Sequence, residues 1–271
     1  MITPNLRVLL TASLSVVFSF LACSSAHATL PVISSGETLV FSDDFTSNSA
    51  SWTNVASSST TAKASIDNSL WSASIAGDGT SVTSNATLSQ TLNIANGPIS
   101  LYIRAKTAGT ASADNGRFSL TLSESTGNRN FGVVIRPGSA SQATYRNSAG
   151  AATTTNLSSA TFANTSTFYD FKITLSLVNN SIANLATAEV FVYKTATSSY
   201  TSLGIVSSAI DLDTGVFNLL TLYSRNNTGG AVSIDSVAIT QTSAIPEPST
   251  YALLFGGIFL VIGCIYRARG R

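Results

Sequence analysis

The sequence predicts an all-β protein, an antiparallel β-sandwich preceded by a signal peptide and followed by a C-terminal transmembrane helix. Apolar and polar residues alternate over many short stretches, which is typical of strands with one buried face. Runs of Gly, Asn and Ser separate these stretches, and no convincing helical periodicity occurs before the C-terminal segment. Only 10% of the 271 residues are charged while 44% are hydrophobic, and this composition argues against a disordered chain.

The first 28 residues have the features of a secretory signal peptide. Arg7 supplies the positive start, an apolar stretch follows, and Ala26 and Ala28 form a small-residue cleavage site. Cleavage there makes Thr29 the new N-terminus. The residues ending at Cys23 resemble a lipoprotein box, and this alternative would place a lipid on that cysteine.

Residues 244–271 form a second special segment with three parts in a fixed order. Pro246-Glu247-Pro248 is rigid and extended, because each proline fixes φ and disfavours helix at the residue before it. Residues 251–266 are predicted to form a transmembrane helix, and at about 1.5 Å per residue it is a short span for a bilayer core of about 30 Å. Three arginines close the chain, at Arg267, Arg269 and Arg271. The positive-inside rule keeps them in the cytoplasm and the main domain outside.

This order of Pro-Glu-Pro, hydrophobic helix and arginines resembles the PEP-CTERM sorting signal of Gram-negative bacteria. The resemblance implies recognition by exosortase, a membrane protease-transpeptidase that cleaves near Pro246-Glu247-Pro248 and releases or transfers the protein. It also implies an anchor in the inner membrane before processing, and the cell surface or extracellular space afterwards. Proteins with this signal commonly belong to bacteria that make exopolysaccharide and biofilm. The alternative is an ordinary C-terminal anchor with a proline-rich stalk.

The central region, residues 29–243, is mildly acidic and lacks the residue types of many active sites. It has ten Lys or Arg and twelve Asp or Glu, so its net charge is 10 − 12 = −2. This charge gives no electrostatic case for nucleic acid as a partner. His27, Cys23 and Cys264 all lie outside the region. A Ser-His-Asp triad, a cysteine nucleophile and a His-ligated zinc or copper site are therefore excluded from it.

About a dozen strands are predicted in the central region. Alternation is clearest over residues 101–106, 118–122 and 169–177. The other predicted strands lie near residues 38–41, 70–75, 87–94, 130–135, 143–146, 188–194, 203–206, 217–223 and 231–240. The Ser, Thr and Ala-rich run 139–167 is predicted to be a long connecting loop or a flexible edge.

The last predicted strand contains a break in its alternation. Val232 and Ile234 share one face, but Val237 and Ile239 are out of phase with them. A β-bulge near Asp235 or Ser236 would restore the phase. Since a bulge re-aims the side chains beside it, we expect an unusual direction for the Asp235 carboxylate.

The two ends of the central region resemble those of concanavalin A-like lectin/glucanase domains, including laminin-G-like domains. The region opens with the run 40–45 (Val-Phe-Ser-Asp-Asp-Phe), followed by Trp52, and closes with the Asp-containing strand 232–239. In that family the two end strands lie side by side. The resemblance implies a jelly roll of two curved sheets with a concave face that often binds sugar.

Catalysis by carboxylates is weakly supported, and no catalytic residue is predicted. Glucanases of this fold carry Glu, Asp and Glu at alternate positions of one strand, and a retaining glycosidase needs two carboxylates about 5–5.5 Å apart. Here Glu37, Glu124 and Glu189 each lack an acidic partner at strand spacing. Asp211 and Asp213 are two apart, but they lie in a stretch that indicates a loop or turn.

A structural calcium ion is the one cofactor that the sequence suggests. Calcium takes several oxygen ligands at about 2.3–2.6 Å. Asp43, Asp44 and Asp235 would supply carboxylates if the first and last strands are neighbours, and Asp211 with Asp213 would form a second cluster. The alternative is that these aspartates cap turns or pair with arginines.

A sugar-binding site would need an exposed aromatic face with polar neighbours. Tyr102 is the candidate, because Leu101 and Ile103 take the inner face of its strand. Trp52 and Trp71 are predicted to lie in the core. The sequence therefore predicts an exported, non-enzymatic surface or matrix protein associated with exopolysaccharide. A carbohydrate-binding lectin-like module is the first alternative, and an unusual glycoside hydrolase is the second.

Overall fold

Two stacked antiparallel sheets make up the domain. The structure, a computed structural model, describes residues 30–46, 52–56, 62–67, 69–75, 81–108, 117–124, 130–135, 142–146, 152–156, 165–178, 185–211, 215–225 and 231–242. Within these ranges no helix is long and apolar enough to span a membrane. The predicted signal peptide with Ala26 and Ala28, the sorting signal, the helix 251–266 and Asp213 all lie outside the described residues.

The described residues form fifteen strands and one 3-10 turn. In chain order they are β1 (Thr38–Asp43), β2 (Trp52–Ala56), β3 (Ala62–Asp67), β4 (Leu70–Ile75), β5 (Ser81–Asn93), the turn Ile94–Asn96, β6 (Ile99–Ala108), β7 (Arg117–Ser123), β8 (Asn130–Ile135), β9 (Gln142–Arg146), β10 (Ala152–Asn156), β11 (Thr165–Leu177), β12 (Leu185–Lys194), β13 (Ser199–Asp211), β14 (Val216–Arg225) and β15 (Ala231–Gln241).

The strands divide into an eight-stranded and a seven-stranded sheet. The eight-stranded sheet has the order β13-β12-β11-β6-β15-β4-β3, and β1 pairs with β15 beside that path. The seven-stranded sheet has the order β10-β9-β8-β7-β14-β5-β2. Phe41 on β1 is in register with Ile239 on β15, so the first and last strands lie side by side, as the resemblance implied. The all-β sandwich prediction is confirmed.

The core lies between the sheets and is built by the alternating apolar residues of both. Leu101, Ile103 and Ile173 on the eight-stranded sheet are buried, as are Leu120 and Leu122 on the opposing sheet. At about 25 cal/mol per Å² of apolar area removed from water, this burial is the main stabilising contribution. The inner faces of both sheets therefore form the hydrophobic core, and the outer faces, edges and loops are the surfaces available for binding.

Polar and aromatic contacts fix how the two sheets meet. Phe118 of β7 and Phe171 of β11 form an edge-to-face pair with centroids 5.9 Å apart. The buried indole of Trp71 on β4 donates a hydrogen bond of 2.8 Å to Ser84 Oγ on β5. Trp52 is 7% exposed and Trp71 is fully buried, so the prediction that both lie in the core is confirmed.

The predicted bulge in the last strand is present. The pairing of β15 with β6 shifts between Ile234 and Ser236, and this extra residue restores the phase. Val232, Ile234, Val237 and Ile239 are all buried in the core as a result.

Some predicted boundaries were wrong. The run 139–167 was predicted as a loop or flexible edge apart from a strand near 143–146, which is present as β9. β10 and the start of β11 also lie within the run and were not predicted, and β10 with β9 forms an edge of the seven-stranded sheet. Asp211 was assigned to a loop or turn, but it is the last residue of β13. The short strands β2 and β3 were not predicted.

Candidate functional site

The outer face of the eight-stranded sheet is covered by the N-terminal segment 30–37, which we call the strap. The hydroxyl of Tyr200 on β13 donates to the main-chain oxygen of Val32 at 2.6 Å. The main-chain N–H of Ser34 donates to Tyr102 Oη on β6 at 3.1 Å. The ammonium group of Lys172 on β11 donates to Ser34 Oγ at 2.9 Å. The strap thus binds three strands of this sheet.

Glu37 anchors the strap to the sheet through a fully partnered carboxylate. Its Oε1 accepts from Lys172 Nζ at 2.6 Å and from Ser100 Oγ at 3.3 Å. Its Oε2 accepts from Tyr102 Oη at 2.7 Å and from the Thr240 hydroxyl. Burial alone would raise the pKa of Glu37, but the hydrogen bonds from Lys172, Thr240 and Tyr102 outweigh it and hold the pKa below its ordinary value. The carboxylate is therefore a structural anion whose acceptor sites are occupied.

Tyr102 is not an exposed sugar platform, and that prediction was wrong. Its side chain does point to the outer face, as the alternation indicated, but its exposed fraction is zero because the strap lies over it. Its hydroxyl is engaged with Glu37 and Ser34. Burial, together with the hydrogen bond to Glu37, raises the pKa of this hydroxyl.

Asp235 points out of the bulge toward an arginine. Arg104 on β6 places Nε 3.1 Å from Asp235 Oδ2 and Nη1 3.2 Å from Asp170 Oδ1. The Asp170 carboxylate also accepts the main-chain N–H of Val32 in the strap. Burial raises the pKa of Asp170, although Arg104 acts in the opposite direction. Asp235 is thus used in an ion pair, which was the alternative to calcium binding.

Asp43 and Asp44 hold the turn that follows β1. Asp43 accepts the main-chain N–H of Phe45 at 2.8 Å and the indole N–H of Trp52 at 2.7 Å. Asp44 accepts both the N–H and the hydroxyl of Thr46. Phe45 has a φ of 55°, a conformation that Asx-type hydrogen bonds support. Across the described ranges, no group of three or more His, Cys, Asp or Glu residues is placed to hold a metal ion.

The outer face of the seven-stranded sheet carries a different arrangement, in which small uncharged residues align across the strands. The alignment follows from the pairing registers of all seven strands. We call it the polar row: it runs through Thr53, Asn85, Thr221, Thr121 and Gly132, and the register continues it to Thr144 and Thr154. With strands about 4.8 Å apart, these positions span about 29 Å. No charged residue belongs to the row.

Neighbouring members of the polar row are in contact. Thr221 donates to the Asn85 side-chain oxygen at 2.8 Å, and Thr53 donates to the Asn85 main-chain oxygen at 3.3 Å. A Cβ on Gly132 would lie 2.4 Å from the hydroxyl oxygen of Thr121. The Thr121 hydroxyl therefore occupies the space that a side chain at position 132 would take, and a larger residue there would force Thr121 to move.

An aromatic side chain lies beside the polar row. Tyr223 is two residues along β14 from Thr221, on the same outer face, and it pairs with Thr83 on one side and Ser119 on the other. Its side chain is half-buried, whereas Leu222 and Ser224 on either side of it point inward and are buried. Hydroxyls, an amide and one partly exposed tyrosine thus share one face. This combination of groups suits a neutral, hydroxyl-rich ligand.

The two outer faces differ in how open they are. On the eight-stranded sheet, Tyr102, Asp170 and Thr240 are buried. On the seven-stranded sheet, Ser119, Ser123 and Gly132 are buried, but Asn85, Thr121, Thr221 and Tyr223 remain partly exposed. Alternation in the sequence indicates which residues face outward, but only strand pairing reveals the row, because its members lie far apart in the chain. The candidate binding face is therefore the outer face of the seven-stranded sheet.

Comparison with known proteins places the fold. Neither a protein-family model nor a curated protein matches the sequence. Among solved structures, the exoplasmic/lumenal domain of VIP36 has a TM-score of 0.52 at 11% identity, covering 79% of this chain and 94% of that one. Lectin I from Ulex europaeus has a TM-score of 0.51 at 11% identity, covering 77% and 99%. An endo-β-galactosidase from Clostridium perfringens has a TM-score of 0.50 at 12% identity, covering 80% and 66%. The fold is that of the concanavalin A-like lectin sandwich.

Proposed function

We propose that the domain is a non-catalytic carbohydrate-binding module that binds a neutral glycan on the outer face of the seven-stranded sheet. The observation that carries this proposal is the polar row, whose members Thr53, Asn85, Thr121 and Thr221 are exposed or partly exposed beside Tyr223. The Thr53 and Thr221 hydroxyls already donate to Asn85, so toward a ligand they act as acceptors of sugar hydroxyls, while the Asn85 amide NH2 is a donor. The ring of Tyr223 supplies an apolar face for stacking. Because no row residue carries a carboxylate, the proposal is of binding and not of hydrolysis.

Two proteins of similar fold are seen with sugars. The VIP36 domain is in a Ca²⁺- and Man3GlcNAc-bound form, and the Ulex europaeus lectin is in complex with the methyl glycoside of α-L-fucose. These ligands support a search among glycans and do not identify the sugar here. The identity of the ligand therefore has to come from binding experiments.

A glycan array followed by calorimetry tests the proposal. We expect binding to neutral polysaccharides, with little dependence on salt because the row is uncharged. Tyr223→Ala should weaken binding about tenfold or more, which corresponds to about 1.4 kcal/mol. Thr221→Val keeps the shape of the side chain, removes the hydroxyl and should also weaken binding. Thr201→Val, on a partly exposed position of the other sheet, is the matched control and should leave the affinity unchanged.

Release of reducing ends during the binding experiment would support the alternative function, a glycoside hydrolase. If reducing ends are released from a bound glycan, and if the release stops when Glu124, directly after β7, is changed to Gln, the module would be an enzyme. If the folded protein binds none of the neutral glycans, the carbohydrate proposal is contradicted.

We further propose that the protein is exported and sorted to the cell surface or matrix by an exosortase-like membrane protease. The sequence features of residues 1–28 and 244–271 support this, and exopolysaccharide of the producing cell would be the natural partner of the domain. Replacing Pro246, Glu247 and Pro248 with alanine should abolish processing and leave the chain in the inner membrane. A processed product of unchanged size and location would overturn the sorting proposal without affecting the carbohydrate proposal.

A further inference from the structure

The part of the outer face that lies under the strap is lined by Tyr102, Asp170, Lys172 and Tyr200, and we call it the groove. It binds the strap through main-chain atoms. Tyr200 donates to the Val32 carbonyl, Asp170 accepts the Val32 N–H, and Tyr102 accepts the Ser34 N–H at 3.1 Å. These three groups act on main-chain atoms of alternate residues, which is the period of an extended strand. The groove therefore has the chemistry of a peptide-binding site.

Two further contacts hold the strap in the groove. Pro31 is buried, and Lys172 Nζ donates to Ser34 Oγ at 2.9 Å. The lysine is held in place by Glu37 and by three aromatic rings whose centroids lie within 6 Å of Nζ. The groove thus holds a buried proline and, three residues later, the hydroxyl of a serine.

The part of the strap that fills the groove is joined to the domain through a turn. Residues 35 and 36 form the turn, Gly36 has a φ of +84°, and a Cβ built on it meets nothing within 4 Å. Beyond the turn, Glu37 is fixed to its own domain by four hydrogen bonds. Residues 30–34 can therefore leave the groove by rotation at the turn while Glu37 stays bound.

Exposed apolar side chains are found on this side of the molecule. Four large apolar side chains are exposed among the described residues, and all belong to the strap or the eight-stranded sheet. They are Leu30, Val32, Leu39 and Ile205, with exposed fractions of 38%, 45%, 45% and 57%. Two of them lie on the docked strap, on its side away from the groove.

We propose that the groove also accepts residues 30–34 of a second copy of this chain, so that two copies exchange straps. The second copy is the favoured occupant because its residues 30–34 have the sequence that already fits the groove and can offer it the same main-chain and Ser34 groups. In the exchanged pair, Leu30 and Val32 of each copy would lie over the sheet of the other copy, as they lie over their own sheet in the monomer. Within one chain the strap has the advantage of a high effective concentration, so the closed monomer competes with the exchanged pair.

Shortening the turn tests the exchange in the full exported chain. Deleting Gly36 should prevent the strap from folding back onto its own groove, and we expect the chain to become a dimer in analytical ultracentrifugation. An excess of a synthetic peptide of residues 29–36 should return the dimer to monomer. Adding Tyr200→Phe to the deletion removes the donor to the Val32 carbonyl and should weaken the dimer. A folded deletion variant that stays monomeric, or a dimer that the peptide leaves intact, would overturn the proposal.

A second variant keeps the test decisive if the deletion variant does not fold. Val32→Pro removes the N–H that Asp170 accepts and so weakens the strap without changing the groove. A fluorescent peptide of residues 29–36 should bind this variant at least tenfold more tightly than the unchanged chain, whose own strap competes. Failure of the peptide to bind Val32→Pro, or equal binding after Tyr200→Phe is added, would contradict a peptide-binding groove.

Discussion

Lys172 Nζ and Glu37 Oε1 lie 2.6 Å apart and join the strap to the middle of the eight-stranded sheet. The two side chains come from positions 135 residues apart in the chain, and their exposed fractions are only 13% and 9%. The pair therefore closes one face of the sandwich with a largely desolvated charge contact. Removing one partner of such a pair leaves the other as a buried, uncompensated charge.

Lys172→Met is expected to lower the free energy of unfolding by about 3 kcal/mol, because the Glu37 carboxylate loses its only cationic partner among the described residues. Chemical denaturation measures this loss. Lys194→Met, on an exposed position of β12, is the matched control and should cost within about 0.5 kcal/mol. Adding Glu37→Gln to Lys172→Met should restore part of the loss. If the double variant is as unstable as the sum of the singles, the two groups are not coupled.

Acid should destabilise the domain through Glu37. Its pKa in the fold lies below the ordinary value of 4.5, so its stabilising contribution is complete above that value and is lost as the pH falls through the pKa of the folded state. Denaturation at pH steps between about 3 and 7 should show this loss. Glu37→Gln should flatten the curve below about pH 4.5. If the free energy of unfolding of Glu37→Gln falls at acid pH as steeply as that of the unchanged chain, other carboxylates cause the loss.

Asp170 should change the stability with pH in the opposite direction from Glu37. Its pKa is raised above 3.8 by burial, so the fold favours its protonated form, and stability from this group falls as the pH rises from about 3.8 through the raised pKa. The Glu37→Gln variant isolates this effect. We expect a shallow decrease in its unfolding free energy above about pH 3.8, and Asp170→Asn added to it should remove that decrease. A stability that instead rises over this interval would contradict the sign.

The sequence reveals local features of this fold better than long-range ones. The phase break in 232–239 correctly predicted the bulge beside Asp235, because a bulge changes the alternation that the sequence displays. β13 was predicted only over 203–206, because its pairing with β12 shifts twice and each shift interrupts the period of two. Alternation correctly placed Tyr102 on the outer face, but it could not show the strap, which reaches Tyr102 from a position 68 residues away. The polar row depends on six pairing registers at once, and no local pattern encodes it.

Gly132→Ala should destabilise the seven-stranded sheet and weaken glycan binding together. The added Cβ would lie 2.4 Å from Thr121 Oγ1 and 3.3 Å from the Leu120 main-chain oxygen, so Thr121 must move out of the polar row. We expect a loss of about 1–3 kcal/mol, typical of overpacking. Thr121→Ala in the same chain removes the clashing hydroxyl and should recover much of the stability but not the binding. Full stability in Gly132→Ala alone would mean that Thr121 moves without cost.

Asp43→Ala and Asp44→Ala should differ although the two residues are adjacent. Asp43 accepts hydrogen bonds from the buried Trp52 indole and from Phe45 N–H, so its loss leaves a buried donor unpaired and should cost about 1–3 kcal/mol. Asp44 bonds only to exposed Thr46 atoms in the contacts described above, and its loss should cost about 0.5 kcal/mol. Melting curves followed by tryptophan fluorescence, in calcium and in chelator, measure both. If these aspartates serve the turn, the difference between the variants is the same in both buffers. If calcium raises the melting temperature of the unchanged chain and not that of Asp43→Ala, Asp43 is a calcium ligand and the turn-capping role is secondary.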